Sequence, residues 1–426
     1  VARILVTGIN YAPERIGAGK YTTELCEWLV QAGHQVRVVT APPYYPAWKV
    51  DPPYESGRWK VEHIAGVEVL RCPLWVPAQP SGLKRLLHLA SFAASSLPAL
   101  LYSTAFRPDI VISIAPSLMN APGAWLAARL SRGKCWLHIQ DFEVGAALDM
   151  GLLKGKSLAR AALAIERWLF ARFDRVSTIS ENMLALLHRK GVPASRAVLL
   201  PNWADISQIR PLTAPSPYRA ELGIPEKAIV ALYSGNMNLK QGLEVLGACA
   251  KQLAGDPDIY FVFGGNGPGR EALEQECKGM PNVRFLDLQP SERLSDWLGL
   301  ADIHLLPQRA DVADLVMPSK LTGMLASGRV TLATAMPDTA LALALRHSGI
   351  VTPPGDASAL SHALRELAAD APKRVQLGKA ARLQAETTLA RDRILGRFNE
   401  QLAALAHANA DFSSRRPSSD QEDTTP

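Results

Sequence analysis

Apolar positions along this chain gather into short unbroken runs separated by stretches of helical spacing. RILVTGI (3–9), HQVRVVTA (34–41), GVEVLRC (66–72), DIVISIA (109–115), KCWLHIQ (134–140) and RVSTIS (175–180) have the length and apolar content of buried strands. Between the first two, Tyr21, Leu25, Trp28 and Leu29 recur at helical spacing, and Gly33 closes that helix. The plan restarts after RPLTAPSPYRAELGIP (210–225), a Pro-rich stretch that reads as a linker. AIVALYSG (228–235) is a strand, Leu243, Leu246, Ala250 and Leu253 line one face of a helix, and IYFVFGG (259–265), VRFLDL (283–288) and DIHLLPQ (302–308) are further strands. Strands separated by helices predict parallel sheets, and loops at the strands' carboxyl ends are where such sheets bind ligands. The expected fold class is α/β, with two Rossmann-like domains facing each other across a cleft. A polar, Pro- and Ser-rich segment from about Asn409 onward, 409–426, is expected to be a disordered tail.

A length of 426 residues suits two domains of ordinary size, and 48% hydrophobic with 20% charged residues is the composition of a soluble globular protein. Five cysteines, Cys26, Cys72, Cys135, Cys249 and Cys277, are widely spaced and never form C-x-x-C; they read as reduced core thiols, not as a disulfide framework or a zinc site. The opening VARILVTGIN runs straight into a strand pattern, so no secretory leader is expected in it. The segment 87–106 is apolar but carries His88, Pro98 and several hydroxyls, which makes it a poor spanning helix; it is expected to pack in a core, with an interfacial surface helix as the alternative.

Charge is unevenly placed. Residues 1–205 hold 23 Lys+Arg against 15 Asp+Glu, a balance of +8, whereas the remainder holds 23 against 25, or −2. From Val69 to Pro108 there is no acidic residue, while Arg71, Lys84, Arg85 and Arg107 are present. No zinc-finger or RNP-type motif accompanies these bases and no aromatics interleave with them, so nucleic acid is not the expected partner. An anionic lipid surface or a lipid-linked phosphate fits the imbalance better.

Four loops carry candidate chemistry. Gly17-Ala18-Gly19-Lys20 precedes a helix, where glycines permit close backbone approach and the helix start favours an anion. It is not an ATPase P-loop, because Glu14 and Tyr21 occupy the positions that demand Gly and Ser/Thr, and Thr22 breaks the dinucleotide fingerprint. SGNMNLKQG offers Gly235, Asn236, Gly242 and Lys240, whose ammonium would neutralise phosphate. GGNGPGR supplies a strand-end glycine turn at Gly265 with Arg270 behind it. MPSKLTGMLASG starts a helix at Pro318-Ser319 and sets free amides beside Lys320. Each loop alone reads equally as an ordinary turn; together they suit a nucleotide diphosphate better than a hydride carrier.

GINYAPERIGAGKYT, APPYYPAWKV, LHIQDFEV, LPNWAD, YSGNMNLKQG and MPSKLTGMLASG, in this order, resemble GT-B glycosyltransferases of family 4, and within it the colanic acid biosynthesis fucosyltransferases. The resemblance covers about residues 2–408. It implies an acceptor-binding domain over 1–208, rejoined by a C-terminal helix at about 386–408, and a nucleotide-sugar-binding domain over 209–385. It implies transfer from a nucleoside-diphosphate sugar with retention of configuration, and with no cofactor or metal ion. Gly17 and Gly19 would face the donor phosphates across the cleft, Lys240 would hold the diphosphate, Gly235, Asn236 and Gly265 would border the donor, and Ser319 with Lys320 would grip its phosphates. Many family members carry two glutamates eight residues apart in the last region; here Leu315 and Gly323 stand at those places, with Asp311 and Asp314 nearby as substitutes.

Cleaving a glycosyl–phosphate bond builds negative charge on the departing diphosphate, which Lys240, Lys320 and backbone amides would stabilise. The resemblance implies same-face attack, with the leaving phosphate helping to accept the acceptor's proton. His138, Asp141 and Glu143 follow a strand and are the acceptor-side candidates, His138 as a proton mover or a structural hydrogen bonder. The expected setting is the cytoplasm, peripheral on the inner face of a bacterial plasma membrane, with GDP-fucose favoured as donor and a lipid-linked oligosaccharide as acceptor. A sugar-nucleotide epimerase on the same fold, or a non-catalytic nucleotide-sugar binder, remain the alternatives.

Overall fold

The structure, a computed structural model, describes residues 1–14, 17–54, 57–144, 156–238, 241–311 and 318–414. The chain divides into two compact units, Val1–Leu200 with Leu395–Pro426, and Pro201–Ile394.

The first unit is built on an eight-stranded sheet. Its strands are β1 (Arg3–Thr7), β2 (Gln35–Thr40), β3 (Lys60–Ile64), β4 (Val67–Arg71), β5 (Ile110–Ala115), β6 (Lys134–Ile139), β7 (Arg175–Thr178) and β8 (Ala197–Leu199), in the order β3-β4-β2-β1-β5-β6-β7-β8. All pairs are parallel except β3–β4. Every residue of β5 is buried, which is why it reads as an unbroken apolar run: helices cover both faces of the sheet. On one face Leu5, Val39, Val111, Leu137 and Val176 pack with Phe92, Leu100, Ala124, Phe170 and Phe173. Those partners come from the helices Gly82–Tyr102, Ala121–Leu130 and Lys156–Arg172 and from the turn after the last. On the other face the last helix, Arg391–Ser414, returns to this unit: Phe398 meets Trp136 edge to face at 4.8 Å, and Asn399 bonds His34 at 2.8 Å.

The segment 87–106 is not simply a core helix. The helix Gly82–Tyr102 buries His88, Phe92, Ser96, Ala99 and Leu100, half-buries Leu86, Leu89 and Ala93, and turns Leu83, Leu87, Leu97 and Leu101 outward.

The second unit carries six parallel strands, β9 (Ile229–Ser234), β10 (Ile259–Gly264), β11 (Val283–Leu286), β12 (Ile303–Pro307), β13 (Val330–Thr334) and β14 (Gly349–Thr352), ordered β11-β10-β9-β12-β13-β14. The Pro-rich stretch expected as a linker is instead part of this unit. Leu212 lies so close to Gly299 that a Cβ there would meet it at 2.4 Å, and Tyr218 is buried against Trp297 at 5.2 Å with its hydroxyl bonded to Gln289. Aromatic and leucine side chains among the prolines supply the burial that a linker lacks. All five cysteines are buried and free.

Both sheets reverse their direction of strand addition at one place, between β1 and β5 in the first unit and between β9 and β12 in the second. In each unit taken by itself, the loops leaving the carboxyl ends of these strands occupy the place where open α/β sheets hold their ligands.

Candidate active site

In the second unit, the loops after β9 and β10 are packed backbone to backbone. Gly235 donates to the Gly264 carbonyl at 2.8 Å, Met237 to Asn266 at 2.9 Å and Gly269 to Met237 at 2.8 Å. A Cβ on Gly265 (φ +142°) would fall 1.9 Å from the Gly235 oxygen, and one on Gly267 (φ +148°) 2.6 Å from that of Met237. These glycines are therefore required by the contact between the two loops, independently of any ligand. Arg270 is committed to the same framework, bonding Glu274 at 2.7 Å, Asn266 at 2.7 Å, the Gly265 carbonyl and Asp287.

Lys320 opens the helix Lys320–Ala326 and reaches back over Gly235 to the end of β9. Its ammonium donates to the Tyr233 hydroxyl, to Gln241 Oε1 at 3.1 Å and to the Asn236 carbonyl at 3.3 Å, and stands 4.2 Å from the centre of the Tyr233 ring. The Tyr233 hydroxyl in turn donates to the Asn236 carbonyl at 2.6 Å. Burial pushes the Lys320 ammonium down to about 7. No carboxylate is among these partners, so an approaching anion would restore the charge that burial disfavours. Ser319 precedes this helix and its carbonyl accepts the Thr322 hydroxyl at 3.0 Å. Arg309, just beyond β12, bonds Asp311 at 2.8 Å and crowds Gly242, where a Cβ would meet its Cγ at 3.1 Å. Gly323 points its missing side chain at Leu298 (3.2 Å) and Ile209 (3.7 Å), so a carboxylate at this place would enter an apolar wall. Lys240, Asp314 and Leu315 lie outside the described residues.

In the first unit, Gly17 caps the helix Ala18–Gln31 at φ +55° with open space beside it, and Gly19 leaves room for the Glu14 carbonyl, 2.6 Å from where a Cβ would stand. Lys20 pairs with Glu24 at 3.7 Å. The buried Glu14 carboxylate accepts the backbone N–H groups of Tyr44 and Tyr45 and the Asn10 amide at 2.9 Å, tying the loop after β1 to the loop after β2. Burial raises its pKa against those hydrogen bonds and the pull of Arg71. Arg71, itself buried, donates to Glu62 at 2.7 Å, to the Ala41 carbonyl at 2.9 Å and to that of Ala12. Above them Tyr44, Trp48 and His88 form a ring cluster with centroids 4.7–5.7 Å apart, and the Arg85 guanidinium lies 5.8 Å from the Trp48 ring.

His138 is buried within β6. Its Nδ1 bonds the Ser177 hydroxyl at 2.9 Å and its Nε2 the Gln140 amide at 3.1 Å, and burial lowers its pKa to about 4, so it is neutral at physiological pH. Glu143 accepts the N–H groups of Ser117 and of Leu118, the latter at 3.0 Å, and so fastens a turn in which Ser117 sits at φ +109°. Burial raises the Glu143 pKa, with Asp141 adding to the effect. Asp141 is half-buried in the bend just after β6. Sequence reasoning missed Tyr233 and Gln241, counted Arg71 and Arg85 only among the bases of an acid-free stretch, although Arg71 is buried, and noticed Glu14 only as the residue that spoils a P-loop.

Known proteins sharpen the picture. The glycosyl transferase 4-like domain family matches residues 17–203 and the glycosyl transferases group 1 family residues 216–384. A protein of Escherichia coli strain K12, named as the colanic acid biosynthesis glycosyl transferase WcaI, is 42% identical over 406 residues, which span 93% of this chain and 98% of that protein.

The chain belongs to the GT-B glycosyltransferases.

Solved structures agree on the fold. Sucrose-phosphate synthase from Thermosynechococcus elongatus superposes with a TM-score of 0.75 over 96% of this chain and all of its own, at 19% identity. Anabaena HepE in complex with UDP and glucose gives 0.67 over 95% of this chain and all of its own, at 16% identity. For a glycosyltransferase, the Lys320–Tyr233–Gln241 group and the glycine loops lie at the switch point of the second unit. The Glu14 and Glu143 ties lie at that of the first.

Proposed function

We propose that this glycosyltransferase moves fucose from GDP-fucose to a lipid-linked oligosaccharide in the assembly of a colanic-acid-like exopolysaccharide. It would retain the anomeric configuration, need no metal ion, and work at the inner face of the membrane. The observation that carries the reading is Lys320, a cation set among neutral donors and acceptors at the second switch point, where a diphosphate would complete its coordination. The similarity to WcaI over nearly the whole chain supports the pathway; the motif set supports glycosyl transfer more than the particular sugar, and fucose is favoured only by the resemblance to fucosyltransferases.

In the reaction, the bond between the sugar's anomeric carbon and the diphosphate oxygen breaks, and a bond to the acceptor hydroxyl oxygen forms on the same face. The acceptor's proton passes to the departing phosphate. Lys320, joined by Lys240, stabilises the charge that grows on that phosphate. His138, neutral and bonded through both ring nitrogens, shapes the acceptor side and keeps its proton. Glu143 and Glu14 hold the acceptor loops in register.

Purified protein incubated with GDP-fucose and a lipid-linked glycan is expected to yield fucosylated lipid. Transfer from UDP-sugars with none from GDP-fucose would remove the fucosyl assignment, and no transfer from any nucleotide sugar would remove the reading.

A further inference from the structure

We propose that the outward face of the helices Gly82–Tyr102, Ala121–Leu130 and Lys156–Arg172 is a docking surface for an anionic phospholipid bilayer. The inference deepens the proposed function and rests on it for its purpose, though not for its test.

The first helix supplies the main observation. Leu83, Leu87, Ala90, Ala94, Leu97 and Leu101 are all exposed, at alternating spacings of four and three residues that form one continuous stripe opposite the buried His88, Phe92 and Ser96. The water-facing side of a surface helix normally carries charges, whereas one that is apolar all round belongs in a core or in lipid. An 18-residue window within Gly82–Phe106 has a mean hydropathy of 1.3, and only 33% of that window is buried. The second helix touches both of the others and adds exposed Leu126 and Leu130. The third adds Leu158, Ile165 and Trp168.

Charge selects the occupant. Every exposed ionised side chain among the described residues of these helices is cationic: Lys84, Arg85, Arg129, Arg160, Arg167 and Arg172. The one acid on them, Glu166, is buried and paired with Lys190. A second copy of the chain would set these cations against each other, whereas an anionic lipid surface matches them and attracts them about fivefold per side chain. Tryptophans occupy places suited to a lipid–water boundary. Trp59, 55% exposed, donates its indole N–H to the Ser95 carbonyl at 3.0 Å beside the stripe. Trp168 stacks edge-on with Trp125 at 6.2 Å, with the Arg172 guanidinium 4.8 Å from its ring. An apolar body with a polar edge is what that boundary takes up.

The test is sedimentation of the full chain with phosphatidylcholine vesicles, with and without phosphatidylglycerol, and with no glycan acceptor present. Binding is expected only to the anionic vesicles and to weaken with salt. Leu87→Glu with Leu97→Glu should lower the vesicle partition coefficient by about tenfold or more, and Arg129→Glu with Arg167→Glu by a similar factor. Both pairs are exposed, so the melting temperature should hold. No binding to anionic vesicles, equal binding to phosphatidylcholine alone, or binding unchanged by both pairs overturns the proposal. A self-association abolished by Leu87→Glu/Leu97→Glu without vesicle binding overturns it too, by making a second copy the occupant. Transfer to a detergent-dispersed acceptor without vesicle binding defeats this surface alone, and vesicle binding without sugar transfer defeats only the proposed reaction.

Discussion

Lys320 crosses the α-carbon of Gly235 so closely that a Cβ there would meet its Cε at 2.5 Å. The glycine at the end of β9 is thus the floor on which the second unit's candidate phosphate-binding lysine rests. Gly235→Ala, at φ +134°, should cost about 1–3 kcal/mol of stability and push the ammonium away from Tyr233 and Gln241. Calorimetric titration with GDP should show a larger relative loss of affinity than thermal melting shows of stability.

Gly265→Ala should be worse for folding. The atom it would strike is the Gly235 carbonyl oxygen, 1.9 Å away, which is backbone and cannot swing aside as a lysine side chain can. We expect a loss of about 3 kcal/mol or more, read as a lowered denaturant midpoint, against the smaller loss in Gly235→Ala.

The depressed Lys320 pKa makes a signed pH prediction. The ammonium titrates near 7 in the folded protein and at 10.5 when free, so between these values the unfolded chain binds more protons and stability rises with pH. The penalty for burying the charge is fully present below pH 7 and gone by about pH 10.5. Lys320→Met should remove that rise from a plot of unfolding free energy against pH, leaving the contributions of other groups. In the wild type, GDP affinity should fall as pH climbs past 7, by up to about tenfold per unit of pH, because the lysine must recover a proton to meet the phosphate.

Glu14→Ala should loosen the first unit, since it strands the N–H groups of Tyr44 and Tyr45, and each orphaned buried donor costs about 1–3 kcal/mol. Glu14→Gln keeps an acceptor oxygen in place and should cost less. Hydrogen exchange at the amides of Tyr44 and Tyr45 distinguishes the two variants.

Ser117→Gly should raise stability by about 1 kcal/mol, because glycine accepts φ +109° without strain. In a Glu143→Ala background the same substitution should recover part of the loss caused by removing the carboxylate. Chemical denaturation of the four proteins gives this coupling directly.

Much of the strand framework was legible because buried strands in parallel sheets are apolar on both faces, as in β5 and β9. The less visible strands have physical reasons. β3 is an antiparallel edge with Lys60, Val61 and His63 exposed, so its pattern resembles a loop. β13 follows the apolar helix Lys320–Ala326 with little more than Ser327 and Gly328 between, and the two merge into one hydrophobic stretch. At the site, Gly17, Gly19, Gly235, Gly265 and Lys320 were visible as loop residues at strand ends. Their partners were not, because Tyr233 meets Lys320 across 87 positions and Arg71 meets Ala12 across 59. Glu14 shows the limit best: its role appears only once the loops after β1 and β2 lie side by side.

The return of the last helix to the first unit sets an order of events during synthesis. Pro201–Ile394 is a single continuous stretch, so the second unit has all its residues before the first unit receives Leu395. The first unit must wait for Leu395, Phe398 and Leu402, all buried, with Phe398 against Trp136, and these leave the ribosome only after the whole of Pro201–Ile394. A nascent chain therefore carries an unsealed sheet face while the second unit is being made, and loss of the helix Arg391–Ser414 would leave that face open for good.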